Sequence, residues 1–229
     1  MDGELPGDRP CGRSATIEKY TAFAPLYDLL SAEYPVYGAG RERLVELLGF
    51  RTGDQVLDIG CGTGMNFPLV QDRVGPGGII VGVDRSAQML AQARRRAVRH
   101  GWENVILIQA DATAFSAEQI SVEVTRDGGR PFSEVTLATY ALSLMQQWEN
   151  AWETMQQLTV TRGRLGVLDM QRPTGPSALL TPLARTACWL GGADIDAHPW
   201  KALERDSADV RSASARGGHL QVRVGSKPR

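Results

Sequence analysis

The residues best placed to do chemistry are three acids and a run of glycines. The acids are Asp58, Asp84 and Asp111, and each follows a short apolar run. The glycines fall at 60, 62 and 64, within Val56-Leu57-Asp58-Ile59-Gly60-Cys61-Gly62-Thr63-Gly64. Glycine lets a backbone turn tightly and approach a ligand with no Cβ between them. A helix following such a turn presents free amides, which favour an anionic group. Pro68 suits the first turn of that helix, where no backbone donor is needed. A dinucleotide-binding turn requires Gly-x-Gly-x-x-Gly, and its third glycine would fall where this chain has Met65. An acid at the end of the next strand, as Asp84 is, can accept both hydroxyls of a ribose. The arrangement therefore suits a nucleoside-bearing ligand, and the pyrophosphate-type pattern fails at its last position.

An acid two residues before the first glycine, followed by Gly-x-Gly-x-Gly, resembles motif I of class I methyltransferases, which use S-adenosyl-L-methionine. The resemblance implies roles for several residues. Asp58 would attract the cofactor's amino group, and the loop at Gly60, Cys61, Gly62 and Gly64 would meet its carboxylate. Asp84, with Arg85 beside it, would take the ribose. Asp111 would receive the adenine amino group, the backbone of Ala112 would reach a ring nitrogen, and Met89 would lie against the ring. The likeness covers about Tyr20 to Met170, and is nearest to the ubiquinone/menaquinone C-methyltransferase and bacterial phospholipid N-methyltransferase types. Phe23-Ala24-Pro25-Leu26-Tyr27-Asp28 is similar to the helix these enzymes fold over the cofactor, so Tyr20 and Tyr27 are expected to cover it. Tyr140 falls where the family lines the methyl-transfer site; a half-buried packing role explains it equally well. Gly192-Ala193-Asp194, with Pro199-Trp200 and Leu203, looks like the phospholipid type. The run from Ser212 to His219 departs from that type, which carries aromatics there, and aromatic faces are what hold a methylated amine.

These residues need a scaffold. Apolar runs at 55–59, 79–83, 105–108, 135–139 and 165–169 have strand length and are nearly unbroken, as in a parallel sheet buried on both faces. Helical patterns between them supply the crossovers of a doubly wound α/β fold. A strand pair near 209–213 and 219–224 should close the chain as an antiparallel edge hairpin, giving a Rossmann-like, mostly parallel seven-stranded sheet. One helix is marked at both ends, by Ser86 as cap and by Gly101 just past its end. Its last turns hold Arg94, Arg95, Arg96, Arg99 and His100, which suit a solvated helix terminus better than a phosphate site. Trp148 and Trp152, spaced i, i+4, are expected in the core. The stretch from Ser116 to Ser133 is expected to be an extra surface turn around Asp127-Gly128-Gly129.

The expected organisation is a disordered leader over residues 1–14, rich in Gly, Pro and charge, followed by one domain over 15–229. Within it, N-terminal lid helices span 15–40, the cofactor-binding core 41–170, and an acceptor-covering region with the edge hairpin 171–229. The lid from Tyr20 to Tyr37, Tyr140 and the region Ser177–Trp200 would together enclose the acceptor.

Composition bounds the partners. A net charge of −1 argues against gripping nucleic acid through the overall field. Cys11, Cys61 and Cys188 form neither a disulfide framework nor a metal-ligand spacing, so reduced thiols, no metal and a cytoplasmic location are expected. No run is long enough to span a bilayer, which leaves peripheral contact open. The expected activity is methyl transfer to a small molecule or lipid headgroup, an amine being one acceptor and a quinone-type carbon or oxygen the other. A cofactor-binding protein without transfer activity is the competing class. His198 and His219 are the histidines that could act as bases for an acceptor that must lose a proton.

Overall fold

The computed structural model describes residues 37–173 and 193–229. The leader, Tyr20, Tyr27, most of the expected lid, the segment Ser177–Leu190, Cys11 and Cys188 lie outside the described residues.

The described chain forms helix α1 (Gly38–Leu48), strand β1 (Gln55–Ile59), α2 (Phe67–Val74), β2 (Ile79–Asp84), α3 (Ala87–His100), β3 (Val105–Gln109), α4 (Ala117–Arg126), β4 (Ser133–Thr139), a 3-10 turn (Leu142–Leu144), α5 (Trp148–Gln157), β5 (Thr159–Met170), α6 (Trp200–Asp206), β6 (Ala208–Ala215) and β7 (Leu220–Ser226). One seven-stranded sheet runs in the order β3-β2-β1-β4-β5-β7-β6. The first five strands are parallel neighbours, and β7 pairs antiparallel with both β5 and β6. This is the expected doubly wound sheet with an antiparallel edge.

Two apolar layers sandwich the sheet. One joins Leu44 and Leu48 of α1, Phe67 and Val70 of α2 and Ala93 of α3 to the strands. The other brings Ile120 of α4, Trp152 and Met155 of α5 and Leu203 of α6 onto the opposite face. Alternation along β7 sorts its side chains: Leu220, Val222 and Val224 enter the first layer, while Arg223 reaches Glu204 of α6. Trp152 is buried, and its indole N–H donates to Asp206 Oδ2 at 2.8 Å, tying α5 to α6.

Several local expectations change. The stretch after Ser116 is a helix, α4, not an extra surface turn. Ser116 and Gln119 form a reciprocal capping box, and Ile120 and Val124 are buried on an amphipathic face. Helix α6 sits in a region where no regular element was expected. Strand β5 begins six residues before its expected start, since Thr159 to Arg164 continue the ladder beyond the apolar run. Helix α1 runs across the boundary drawn at residue 41. The helix between Ser86 and Gly101 is as expected: Ser86 Oγ accepts from Met89 N, and Gly101 takes the left-handed conformation. Among the described residues, no helix is long and apolar enough to cross a membrane, and no cluster of three or more His, Cys, Asp or Glu could hold a metal.

Candidate active site

The strand order reverses at β1, which lies between β2 and β4. Open α/β sheets bind ligands at such a switch point, beyond the carboxyl ends of the strands. Asp58 and Gly60 stand at that end of β1, Asp84 at that of β2, Asp111 just past β3, and Thr139 and Tyr140 at that of β4.

The glycine loop hangs from β2, with Gly60 N and Cys61 N both donating to Val83 O, at 2.8 and 3.1 Å. Gly62 has φ +55°, and a Cβ built on it meets nothing within 4 Å. The protein thus leaves the space over Gly62 open. Gly60, with φ +69°, is closed in instead, since a Cβ there would stand 2.4 Å from Ala141 Cβ. The Cys61 side chain turns into the core against Gly82, and burial pushes its thiol pKa well above the ordinary range. Any role of Cys61 at the loop therefore belongs to its backbone.

Asp58 is buried at 1% exposure. Its Oδ2 accepts from Asn66 Nδ2 at 2.8 Å, while Oδ1 is buried with no hydrogen-bond partner. A buried carboxylate oxygen without a donor is costly unless a ligand completes it. Burial raises the Asp58 pKa to about 7; the Asn66 hydrogen bond and the Arg41 charge oppose the rise, and Asp84 adds to it. Asp84 accepts from Ser86 N on Oδ1 at 2.8 Å and from Gly62 N on Oδ2 at 2.9 Å. Each of its oxygens keeps a second lone pair for a hydroxyl. Burial raises its pKa too, against those two amide bonds. Asp111 Oδ1 holds Thr113 through its amide, at 2.9 Å, and its hydroxyl, at 2.7 Å. Ala112 is buried, with its carbonyl accepting from Thr154 Oγ1 at 3.3 Å, and Met89 is buried at the start of α3. Arg85 is exposed beside Asp84.

Tyr140 adopts φ +53°, uncommon for a bulky residue, and its amide bonds Leu168 O at 2.7 Å. Its hydroxyl donates to Tyr37 O at 2.8 Å, and the two rings meet edge-to-face with centroids 4.9 Å apart. Tyr140 therefore seats the start of α1 against β4. His219 Nδ1 lies 2.5 Å from Gln171 O, and His198 stands beside Trp200, with ring centroids 5.0 Å apart.

Three residues that motif reasoning missed complete the floor of the site. Arg41 Nη1 donates to Asn66 Oδ1 at 2.7 Å and to Thr139 Oγ1 at 2.6 Å, and Asn66 Nδ2 also donates to Thr139 Oγ1 at 3.0 Å. Asn66 occupies the N-cap of α2, yet its side chain makes no cap bond. An asparagine at that position ordinarily caps, so its diversion toward Asp58 appears only in three dimensions. A fourth missed residue is Asp169, fully buried at the end of β5. Ser143 Oγ and Met170 N donate to its Oδ1 at 2.6 and 2.9 Å, and Ser143 N to its Oδ2 at 3.0 Å. Burial lifts its pKa to about 6 against these donors.

The model of a methyltransferase-domain family matches residues 50–187. The chain belongs to this family. Among its relatives, the ubiquinone/menaquinone biosynthesis C-methyltransferase of Hahella chejuensis is 31% identical over 169 residues, which cover 69% of this chain and 64% of that protein. The demethylmenaquinone methyltransferase of Thermus thermophilus is 32% identical over 157 residues, covering 67% and 65%. This chain therefore spans just under two thirds of the length of these relatives. A crystal structure of an S-adenosylmethionine-dependent methyltransferase from Aquifex aeolicus superposes with TM-score 0.54 at 14% identity, covering 94% of this chain and 99% of that one, and shows the shared fold. Family and fold make S-adenosyl-L-methionine the cofactor. The site fits it: Asp58 Oδ1 lacks a donor, the space over Gly62 is open, and Asp84 retains acceptor capacity toward the same crevice.

Proposed function

We propose that this chain transfers the methyl group of S-adenosylmethionine to a ring carbon of a small quinol- or phenol-class acceptor. The observation that carries the transfer reading is the buried, donorless Oδ1 of Asp58 below an open glycine loop. An ammonium group is the complement of that oxygen, and the cofactor's amino-acid end carries one. Asp84 would bind the ribose, Asp111 and Ala112 the adenine edge, and Met89 its face.

The cofactor supplies a methyl already activated on a sulfonium. The chain's task is to align the acceptor and keep water away. A ring carbon becomes nucleophilic once a neighbouring hydroxyl ionises, so the acceptor's proton must leave before or during attack. The choice of carbon over amine rests on two supports. Of the relatives just described, one is by name a ubiquinone/menaquinone biosynthesis C-methyltransferase and another a demethylmenaquinone methyltransferase. The closing hairpin, residues 208–226, contains no Phe, Tyr or Trp to hold a methylated amine.

The test is incubation with methyl-labelled S-adenosylmethionine and, in parallel, a reduced naphthoquinone with a free ring carbon and vesicles carrying ethanolamine headgroups. Mass spectrometry should find the label on the ring carbon. Label on the headgroup nitrogen overturns the acceptor reading. Cofactor binding without label in any acceptor, a cell extract included, favours a protein that binds but does not transfer.

A further inference from the structure

The Arg41–Asn66–Thr139 cluster is the part of the site that neither the glycine motif nor the strand-end acids explain. Its members come from α1, the N-cap of α2 and the end of β4, and they meet beneath Asp58 at the switch point. Asn66 is 2% exposed and Thr139 5%, while Arg41 is half-buried and reaches them from α1. The guanidinium also lies over the Tyr140 ring, 5.0 Å from its centroid.

The donor and acceptor inventory allows one arrangement. Arginine has donors only, so the Asn66 atom that faces Arg41 must be the carbonyl oxygen. The Asn66 amide nitrogen is then the atom that faces Asp58. A flipped asparagine would set its NH₂ against the guanidinium and its carbonyl against the carboxylate, two repulsive contacts in a buried site. Arg41 thereby decides which end of Asn66 meets Asp58, and Asn66 occupies Oδ2 alone, leaving Oδ1 for a ligand.

Resting on the cofactor reading above, we infer that Arg41 is a positioning residue for the cofactor's amino-acid end: by orienting Asn66 it holds Asp58 as a carboxylate with one oxygen left unbonded by the protein, the complement of an ammonium group. Burial works against that charge. Among the described residues, the charged or titratable groups that act on Asp58 are Arg41 from α1, Asp84 from β2 and Cys61 in the loop. Asp84 opposes ionisation, while Arg41 and the Asn66 donor favour it. Removing Arg41 withdraws a favourable charge and releases the orientation of the favourable donor together. Asp58 should then hold its proton to higher pH and lose its attraction for an ammonium.

The experiment is calorimetric titration with S-adenosylhomocysteine between about pH 6 and pH 8.5. It compares the wild type with Arg41→Gln, Arg41→Lys, Asn66→Ala and the Arg41→Gln/Asn66→Ala double variant, each checked by circular dichroism. In the wild type, affinity should rise with pH through the Asp58 midpoint near 7. In Arg41→Gln the midpoint should move up by about one pH unit, since one unit corresponds to a tenfold change. The loss of affinity is then about tenfold at low pH and largely recovered at about pH 8.5. Arg41→Lys should recover part of the shift, having charge without the fork. Asn66→Ala, which removes the donor and keeps the Arg41 charge, should give the larger part of the shift but not all of it, and the double variant should add little beyond Arg41→Gln. A loss of equal size at every pH, or an unmoved midpoint, overturns the inference. Carbon-13 detection of the Asp58 carboxyl in the free protein reads the same shift without ligand. If the wild type binds no S-adenosylhomocysteine, the cofactor reading fails, and this titration alone decides whether Arg41 governs Asp58. Should Arg41→Gln fail to fold, Asn66→Ala and Arg41→Lys carry the same test.

Discussion

Replacing Asp58 by asparagine should make the free protein more stable at alkaline pH and abolish cofactor binding, and the two effects share one cause. In the folded, ligand-free chain the Asp58 pKa is raised from 3.8 to about 7, chiefly by burial. The native state therefore holds a proton that the unfolded chain has already lost, and stability falls as pH rises from about 4 through about 7. Integrating the proton difference between about pH 5 and pH 8 gives a growing penalty of about 2–3 kcal/mol for the wild type. The substituted asparagine carries no charge, so the variant escapes that penalty; Asp169 titrates in both proteins and cancels in the difference, and Asp84, relieved of a neighbouring negative charge, adds to the gain at high pH. Near pH 5, where native Asp58 is protonated, asparagine and the neutral acid are close equivalents. The stability of Asp58→Asn relative to wild type should thus increase by about 2–3 kcal/mol from pH 5 to pH 8, about 5–10 °C in melting temperature for a chain of this size. Differential scanning calorimetry at the two pH values measures it. S-adenosylhomocysteine should raise the melting temperature of the wild type at pH 8 and leave that of Asp58→Asn unchanged. A melting-temperature difference that is the same at both pH values, or larger at pH 5, would refute the reasoning about a strained buried carboxyl.

Further outcomes follow from the same geometry. Gly62→Val should abolish binding of S-adenosylhomocysteine, because a branched side chain would fill the open space over the loop and strain a φ of +55°; normal binding by calorimetry in a variant folded by circular dichroism would show that this space is not the ligand's. Asp84→Ala should weaken binding at least tenfold, as each charge-assisted hydroxyl contact is worth about 1.5–3 kcal/mol, and unchanged affinity would end the ribose assignment. Ser143→Ala removes one of three donors to buried Asp169 and should destabilise the fold by about 1–3 kcal/mol. Because the pKa of Asp169 is already raised to about 6, that loss should be larger at pH 8 than at pH 5 in urea titrations; a loss independent of pH would mean that Asp169 does not titrate there.

The sheet was legible because its signals are local. Unbroken apolar runs such as Val56-Leu57 and Ile80-Val81 mark strands buried on both faces, and the cap at Ser86 and the stop at Gly101 are each set by one residue's conformational preference. Three glycines at alternate positions and an acid at each of three strand ends named the ligand class, since backbone clearance and charge are properties those residues carry wherever they stand. Helix α4 was missed because Asp127-Gly128-Gly129 is a strong turn signal, and it ends the helix instead of replacing it. Helix α6 was missed because its seven residues are too few to show a period.

What only the tertiary structure decided is the state of Asp58. From the chain alone it is an acid before a glycine turn, with an ordinary pKa and both oxygens equivalent. Folding brings Arg41 from 17 residues before it and Thr139 from 81 residues after it to either side of Asn66. That convergence makes the two oxygens different: Oδ2 is bonded, and Oδ1 is buried and unpaired. The same holds for Tyr140, whose hydroxyl reaches Tyr37, 103 residues away. Residue type, which the sequence determines, sets what a group can donate, accept or ionise. Its partners and its distance from water set what it does, and both depend on contacts that the order of residues does not reveal.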